Sequence, residues 1–197
     1  MGYDEFSWFH DVITQNYSRP TFAFLPLKEI EMTTQDLSAK QAIDKIKELA
    51  ESIDFALLCT DLTSQPFHAI PMSTKRVDDD GSIWFLSGQD STHNINILRN
   101  LAVQLLYSDP KSMRFLIIYG QALILTEGPI LKSLYKKSDD AWFDSVEDPN
   151  LSAIKVVPHS AHYWDIKGNK LAALWKMGVA AVTGSEADIV EHGDLKV

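Results

Sequence analysis

The sequence predicts a mainly β domain with flanking helices, closing into a small antiparallel barrel of about six strands. Three observations point there. Apolar runs of similar length recur between Phe55 and Asp165, each bounded by a polar or glycine-containing turn. A sustained 3.6-residue periodicity is clearest before those runs, from Ile43 to Ile53. The other helix-like stretches are short and fall between strands, and closing such a sheet removes most of its exposed edges.

The chain has 197 residues and 22.2 kDa, the size of one hydrophobic core with decorations. With 45% hydrophobic and 23% charged residues it reads as globular. No stretch approaches the roughly 20 apolar residues of a membrane span, and the N-terminus lacks the basic region and apolar run of a secretory signal. The lone Cys59 cannot form an internal disulfide, so the expected compartment is the cytoplasm. A net charge of -9 repels a nucleic-acid backbone unless cations cluster. Lys75-Arg76 and Lys136-Lys137 make no stripe, so neither nucleic acid nor membrane is an expected partner.

The elements follow in order. Residues 1–31 form an aromatic-rich arm holding Tyr3, Phe6, Trp8, Phe9, Tyr17, Phe22 and Phe24, set apart from a domain over 32–197. Pro20 and Pro26 allow only a short helix, near 4–16, and then an extended segment. The arm packs on its own domain or meets a partner subunit. Thr33, Thr34 or Ser38 can cap the next helix, and Ser38-Ala39-Lys40-Gln41 has capping-box spacing. Ile43, Ile46, Leu49, Ala50 and Ile53 form its apolar face, with Asp44, Lys45, Lys47, Glu48 and Glu51 largely on the wet side.

Phe55 to Thr60 reads as a strand, Asp61 to Pro66 as a turn, and His68 to Thr74 as the returning strand. Val77 to Gly81 is a turn before a third strand, Ser82 to Ser87. Asp90 or Ser91 caps a helix reaching about Asn100. Val103 to Tyr107 is a strand stopped by Asp109-Pro110. Phe115 to Leu125 is a longer one, whose internal Gly120 predicts a bulge or a close approach. Pro129 suits the first turn of a helix ending near Lys137, and Trp142-Phe143 falls in a short helix or loop. Ala153 to Asp165 is the sixth strand, restricted by Pro158 to an edge or a bulge. Lys170 to Met177 reads as a terminal helix, and residues from Gly184 onward as exposed.

Several chemistries are excluded. No Gly-x-Gly-x-x-Gly, Walker loop or Gly-x-Ser-x-Gly elbow is present. Cys59 sits inside an apolar strand pattern, as a buried hydrophobe does. His159 and His162 are three apart in a strand and point to opposite faces, so one metal cannot easily use both, and no metal site is expected. Asp78-Asp79-Asp80-Gly81 lacks the alternation and the distant Glu of a calcium loop. One segment does favour a ligand. A strand end feeds a polar loop that caps a helix, directing the N–H groups of Ser91, Thr92 and His93 to a place suited to a phosphate.

The ordered series Pro71-Met72-Ser73-Thr74, Asp79 to Leu86, Asp90-Ser91, Asn100, Ser108-Asp109-Pro110, Trp142-Phe143, Asp148-Pro149, Tyr163-Trp164-Asp165, Thr183-Gly184 and Glu191-His192-Gly193 resembles the general stress protein branch of the pyridoxamine 5'-phosphate oxidase-like superfamily. The resemblance runs from about Thr33 to the end. It implies an FMN-binding split β-barrel that dimerises with flavin at the subunit interface. The implied cofactor-binding residues are His68, Ile70, Met72, Ser73 and Lys75 on the second strand, with Leu86 and Ser87 at the flavin edge. Ser91, Thr92 and His93 would face the phosphate, Phe115 the ring system, and Trp164 would come from the other subunit.

Two positions depart from the pattern: Ile70 stands where the family usually carries Arg, and His93 where it carries Lys. Each charge-assisted bond to phosphate is worth about 1.5–3 kcal/mol, so losing both weakens FMN by roughly two to four orders of magnitude. Lys75, Arg76, His68 and a protonated His93 are the partial replacements, while Asp90 repels phosphate. The Arg-x-His of true pyridoxamine phosphate oxidases aligns with Lys170-Leu171-Ala172, so that activity is not expected. The resemblance therefore implies a general stress protein-like FMN-binding protein, a flavin-dependent oxidoreductase of unknown substrate. The alternatives are a non-catalytic flavin carrier or sensor, or a barrel that has lost flavin and serves as an interaction module. No residue offers itself as a catalytic acid or base.

Overall fold

The computed structural model describes residues 33–34, 39–166 and 190–196. The arm of 1–31, the Ser38 cap, the helix expected over 170–177 and the Lys170-Leu171-Ala172 stretch lie outside the described residues.

Nine strands form one sheet among the described residues: β1 (Thr33–Thr34), β2 (Phe55–Thr60), β3 (His68–Ser73), β4 (Arg76–Val77), β5 (Ile83–Gly88), β6 (Ala102–Asp109), β7 (Arg114–Leu125), β8 (Leu151–Ile166) and β9 (Val190–Lys196). Seven of them have six residues or more. Three helices accompany them: α1 (Ala39–Ile53), α2 (Thr92–Arg99) and α3 (Gly128–Leu134), followed by a 3-10 turn, Lys137–Ala141. The main order is β1-β9-β8-β7-β6-β2-β3, with β5 joining β8 and β4 joining β5. Every pairing is antiparallel except β1 with β9. This is the split β-barrel that the family resemblance implies, with nine strands where the residue pattern predicts about six. No helix among the described residues is long and apolar enough to cross a membrane.

The split comes from β8. One edge pairs with β7 along most of its length. The other edge is shared: residues 151–156 pair with β5 and residues 160–166 with β9. Between the two halves the register with β7 shifts, so that Tyr119 faces Ser160 but Gly120 faces Pro158. Pro158 supplies no N–H to a ladder, so a bulge is where it is tolerated in a central strand. Gly120 is required there because a Cβ would lie 2.2 Å from the Val157 carbonyl oxygen.

The core fills the space between the curved sheet and α1. Ala42, Ile46, Leu49 and Ala50 face it from the helix, meeting Leu58, Phe85, Leu105, Leu116, Ile118, Val156 and Tyr163. The helix stops at Asp54, whose φ of 69° ends the α-helical path, while its N–H still bonds Ala50 O at 3.0 Å.

Four expectations are corrected. Thr33 and Thr34 form β1 on β9 and do not cap α1. Of the stretch expected to be exposed from Gly184 onward, Val190–Lys196 form β9 on the β8 edge, and Leu195 is buried. Within the helix, Ala42 is fully buried where Ile43 is half-buried. Lys45 does not lie on the wet face: its side chain is 14% exposed, and Nζ sits 2.5 Å from Asp165 Oδ2 and 3.7 Å from Glu191 Oε1. That ion pair ties α1 to β8 and β9; burial works against the Lys45 charge, but Asp165 and Glu48 outweigh it and raise its pKa.

Gly120→Ala is expected to lower stability by about 2 kcal/mol or more, because the added methyl meets backbone that cannot move aside. Urea denaturation checks this, and a wild-type midpoint for the variant would show that the close approach is slack.

Candidate functional site

β3 pairs with β2 on one edge and, among the described residues, has no ladder partner on the other. β5 pairs with β8, and on its second edge only with the two residues of β4. A pocket of about 410 Å³ opens where these strand edges approach without joining. Phe55, Ile70, Pro71, Met72, Ser73 and Lys75 line it from the β2–β3 side, Leu86, Ser87, Gly88 and His93 from the β5–α2 side. Ser138, Asp139, Trp142 and Phe143 close it from the 3-10 turn and the residues after it. The size and the mostly apolar lining suit a small organic ligand.

At the α2 end the polar groups are built into a network. Ser91 is the N-cap, its Oγ accepting the Asn94 N–H at 3.3 Å. Its own N–H is not free for a ligand, because it donates to Gly88 O at 3.1 Å. Ser87 Oγ donates to Asn94 Oδ1 at 3.0 Å, and Asn94 Nδ2 donates to Ser152 Oγ at 2.9 Å. His93 Nε2 lies 2.5 Å from Ser87 Oγ and 3.0 Å from Ser91 Oγ. His93 Nε2 thus lies between two hydroxyls, and its tautomer sets which of them it donates to or accepts from. Burial first, and then the nearby His68, pushes the His93 pKa below its ordinary value, so the ring is neutral near pH 7. The His68 ring stacks on it at 6.2 Å between centroids.

The other end holds the charges. Lys75 Nζ donates to both Asp139 carboxylate oxygens, at 2.7 and 2.8 Å. The two side chains are only 9% and 13% exposed. Asp139 Oδ2 also accepts the Lys136 N–H at 2.8 Å, which fixes the carboxylate to the start of the 3-10 turn. Among the described residues lining the pocket, these two are the charged side chains, and their charges cancel.

Seven expected site residues therefore meet in one pocket: Ile70, Met72, Ser73, Lys75, Leu86, Ser87 and His93. Ser91 and His68 reach it through His93. Thr92 is exposed at the helix start. Phe115 and Trp164 are outside the lining and face each other as register partners on β7 and β8. Arg76 does not supply a cation to the lining: it bonds Asp78 at 2.6 Å and Ser133 at 3.1 Å, and covers the Trp84 ring. Sequence reasoning did not assign Phe55, Pro71, Gly88, Ser138, Asp139, Trp142 or Phe143 to the site. Phe55 had a readable signal, an aromatic at the outward phase of β2; Asp139 had none, since its role depends on where the 3-10 turn folds back. Cys59 is buried, and burial raises its thiol pKa. Among the described residues no cluster of three or more His, Cys, Asp or Glu is arranged to hold a metal.

Comparisons with known proteins complete the picture. A family model described as "Pyridoxamine 5'-phosphate oxidase like" matches residues 41–188. A general stress protein 26 candidate from Jannaschia sp. CCS1 superposes with a TM-score of 0.66 at 21% identity, over 81% of this chain and 100% of that one. General Stress Protein 26 from Bacillus anthracis str. Sterne gives 0.54 at 21% identity, over 63% and 92% of the two chains. The general stress FMN/FAD binding protein of Xanthomonas citri gives 0.57 at 23% identity, over 66% and 92%. No curated protein matches the sequence. At these identities the superpositions establish the fold.

The His93 ring is expected to titrate in NMR with a midpoint below about 6.5, the ordinary value. Because the folded pKa is the lower one, the unfolded chain binds the proton first. Stability is then full above about pH 6.5 and declines as pH falls toward the folded pKa of His93. His93→Gln removes this part of the slope, and an unchanged slope in that variant would assign it to another group.

Proposed function

Because this chain belongs to the pyridoxamine 5'-phosphate oxidase-like family, we propose that it is a flavin-binding protein whose ring site is the pocket between β3 and β5. The observation that carries this reading is the lining itself. Apolar side chains from two unjoined strand edges, Ile70 and Met72 on one and Leu86 on the other, bound a slot that ends in the Ser87–His93 network. Such a slot fits a planar ring with a polar rim. A bound flavin supplies hydride and electron transfer. The chain would supply position: Leu86 and Ser87 would meet the ring, and Trp142 and Phe143 would shield it from water. The phosphate of FMN fits less well, because Ile70 is apolar, His93 is neutral and Lys75 is already paired.

The same reading includes a homodimer. The outward face of the sheet carries Phe55 and Leu57 on β2 and Tyr119 and Leu123 on β7, each between 44% and 59% exposed. A solvated sheet face alternates to polar residues there. Phe55 belongs both to this face and to the pocket lining, so a second copy seated on the face would also close the site. Trp164 would then reach a partner's pocket, as the resemblance implies, with Phe115 beside it as its register partner. A second reading, a barrel without flavin that serves as an interaction module, is favoured by the paired Lys75 and by Trp142, which is 83% exposed.

The deciding experiment is an absorbance spectrum of the freshly purified protein, with mass analysis of any released cofactor and a titration with FMN. Flavin bands or uptake are expected; a colourless protein that takes up no flavin leaves the interaction module. Ile70→Arg should tighten FMN by about tenfold or more through one new charge-assisted bond. The matching repair at His93 is avoided, since it would break the Ser87–His93–Ser91 bonds.

Light scattering is expected to give a dimer at micromolar concentration and a monomer for Leu57→Asp, which places a charge in the apolar face. A wild-type monomer would remove the dimer from this reading.

A further inference from the structure

We propose that Asp139 sets the ligand class of this pocket: by holding Lys75 it works against a phosphate ester and selects an uncharged flavin, riboflavin over FMN. The inference rests on the flavin reading and narrows it. A dianionic phosphate needs an available cation or a set of free N–H donors. The lining offers Lys75, and both oxygens of Asp139 already engage it in a pair that solvent barely reaches. Little exposure means little screening by salt. Ile70 brings no charge, Arg76 is bound to Asp78 and Ser133, and of the three N–H groups at the start of α2 that of Ser91 is used by Gly88, which leaves those of Thr92 and His93 as uncharged donors only.

Asp139 is also held from behind. Its Oδ2 accepts the Lys136 N–H, and its carbonyl accepts the Trp142 N–H at 2.9 Å and the Phe143 N–H at 3.1 Å. The backbone that presents the carboxylate is thus the backbone that places Trp142 and Phe143 on the pocket. A phosphate taking Lys75 would leave a buried carboxylate facing a dianion, or would have to unseat the whole turn. Selectivity built from such a repulsive element acts on the charged competitor and leaves the neutral one untouched. The apolar slot and the Ser87–His93 rim are open to either ligand, so the phosphate alone is discriminated.

The test is fluorescence titration of the full chain, stripped of bound ligand, with riboflavin and with FMN, on wild type and Asp139→Asn. The wild type is expected to bind riboflavin at least as tightly as FMN. The variant frees Lys75 and should shift the ratio toward FMN by about tenfold. A thermal melt confirms folding. If the asparagine variant does not fold, Asp139→Ser keeps an acceptor for the Lys136 N–H and carries the same test. A wild type that prefers FMN, with a ratio unchanged by the variant, overturns the role of Asp139 and leaves the flavin site standing. If neither flavin binds wild type or variant, the flavin reading itself fails, and this inference with it.

Discussion

The architecture turns on one close approach between backbones. At Gly120 the β7 chain comes so near the Val157 carbonyl that no side chain fits. The extra residue opposite, at the Pro158 bulge, lies between the segment of β8 that pairs with β5 and the segment that pairs with β9. One long strand thereby serves two partners along a single edge. A bulge bends its strand and increases local twist, and the two partners diverge from it. β5 is carried to within reach of β3 without joining it, and the pocket occupies what remains between them.

That origin explains the chemistry of the site. The pocket walls are strand edges and outward-facing side chains, so its lining follows the alternation of β3 and β5. Its polar end is a network in which Ser87, His93, Asn94 and Ser152 satisfy one another, as buried polar groups must. Such a network is rigid and neutral. At the opposite end a buried ion pair fills the same need with full charges. Breaking one partner of such a pair costs more than its presence contributes, because the survivor stays buried and unpaired. The pocket is therefore polar at both ends and electroneutral as a whole.

The sequence made the sheet legible because alternation and turn residues are local signals. β2 and β3 start where the pattern starts, and Gly120 and Pro158 both announced the bulge they share. β9 was not legible. Its residues, Val190 to Lys196, carry charges and a glycine, and only pairing with β8 buries Leu195. Lys45 failed for a related reason: a lysine on a helix reads as solvated until Asp165 and Glu191 arrive from strands more than a hundred residues later. Within the site, the residues on β3, β5 and α2 followed from the family resemblance, which maps residue by residue. Asp139 did not, because the resemblance supplied no match there and its partner Lys75 lies 64 residues away.

Pro71 lies within β3, the last strand on its side of the sheet among the described residues. An edge strand is a template on which a strand from another molecule can grow. A proline within it interrupts the row of donors that such growth requires. The opening between β3 and β5 is for that reason a poor seed for sheet extension. The chain can keep a barrel permanently unzipped along one seam without that seam becoming a route to fibrils.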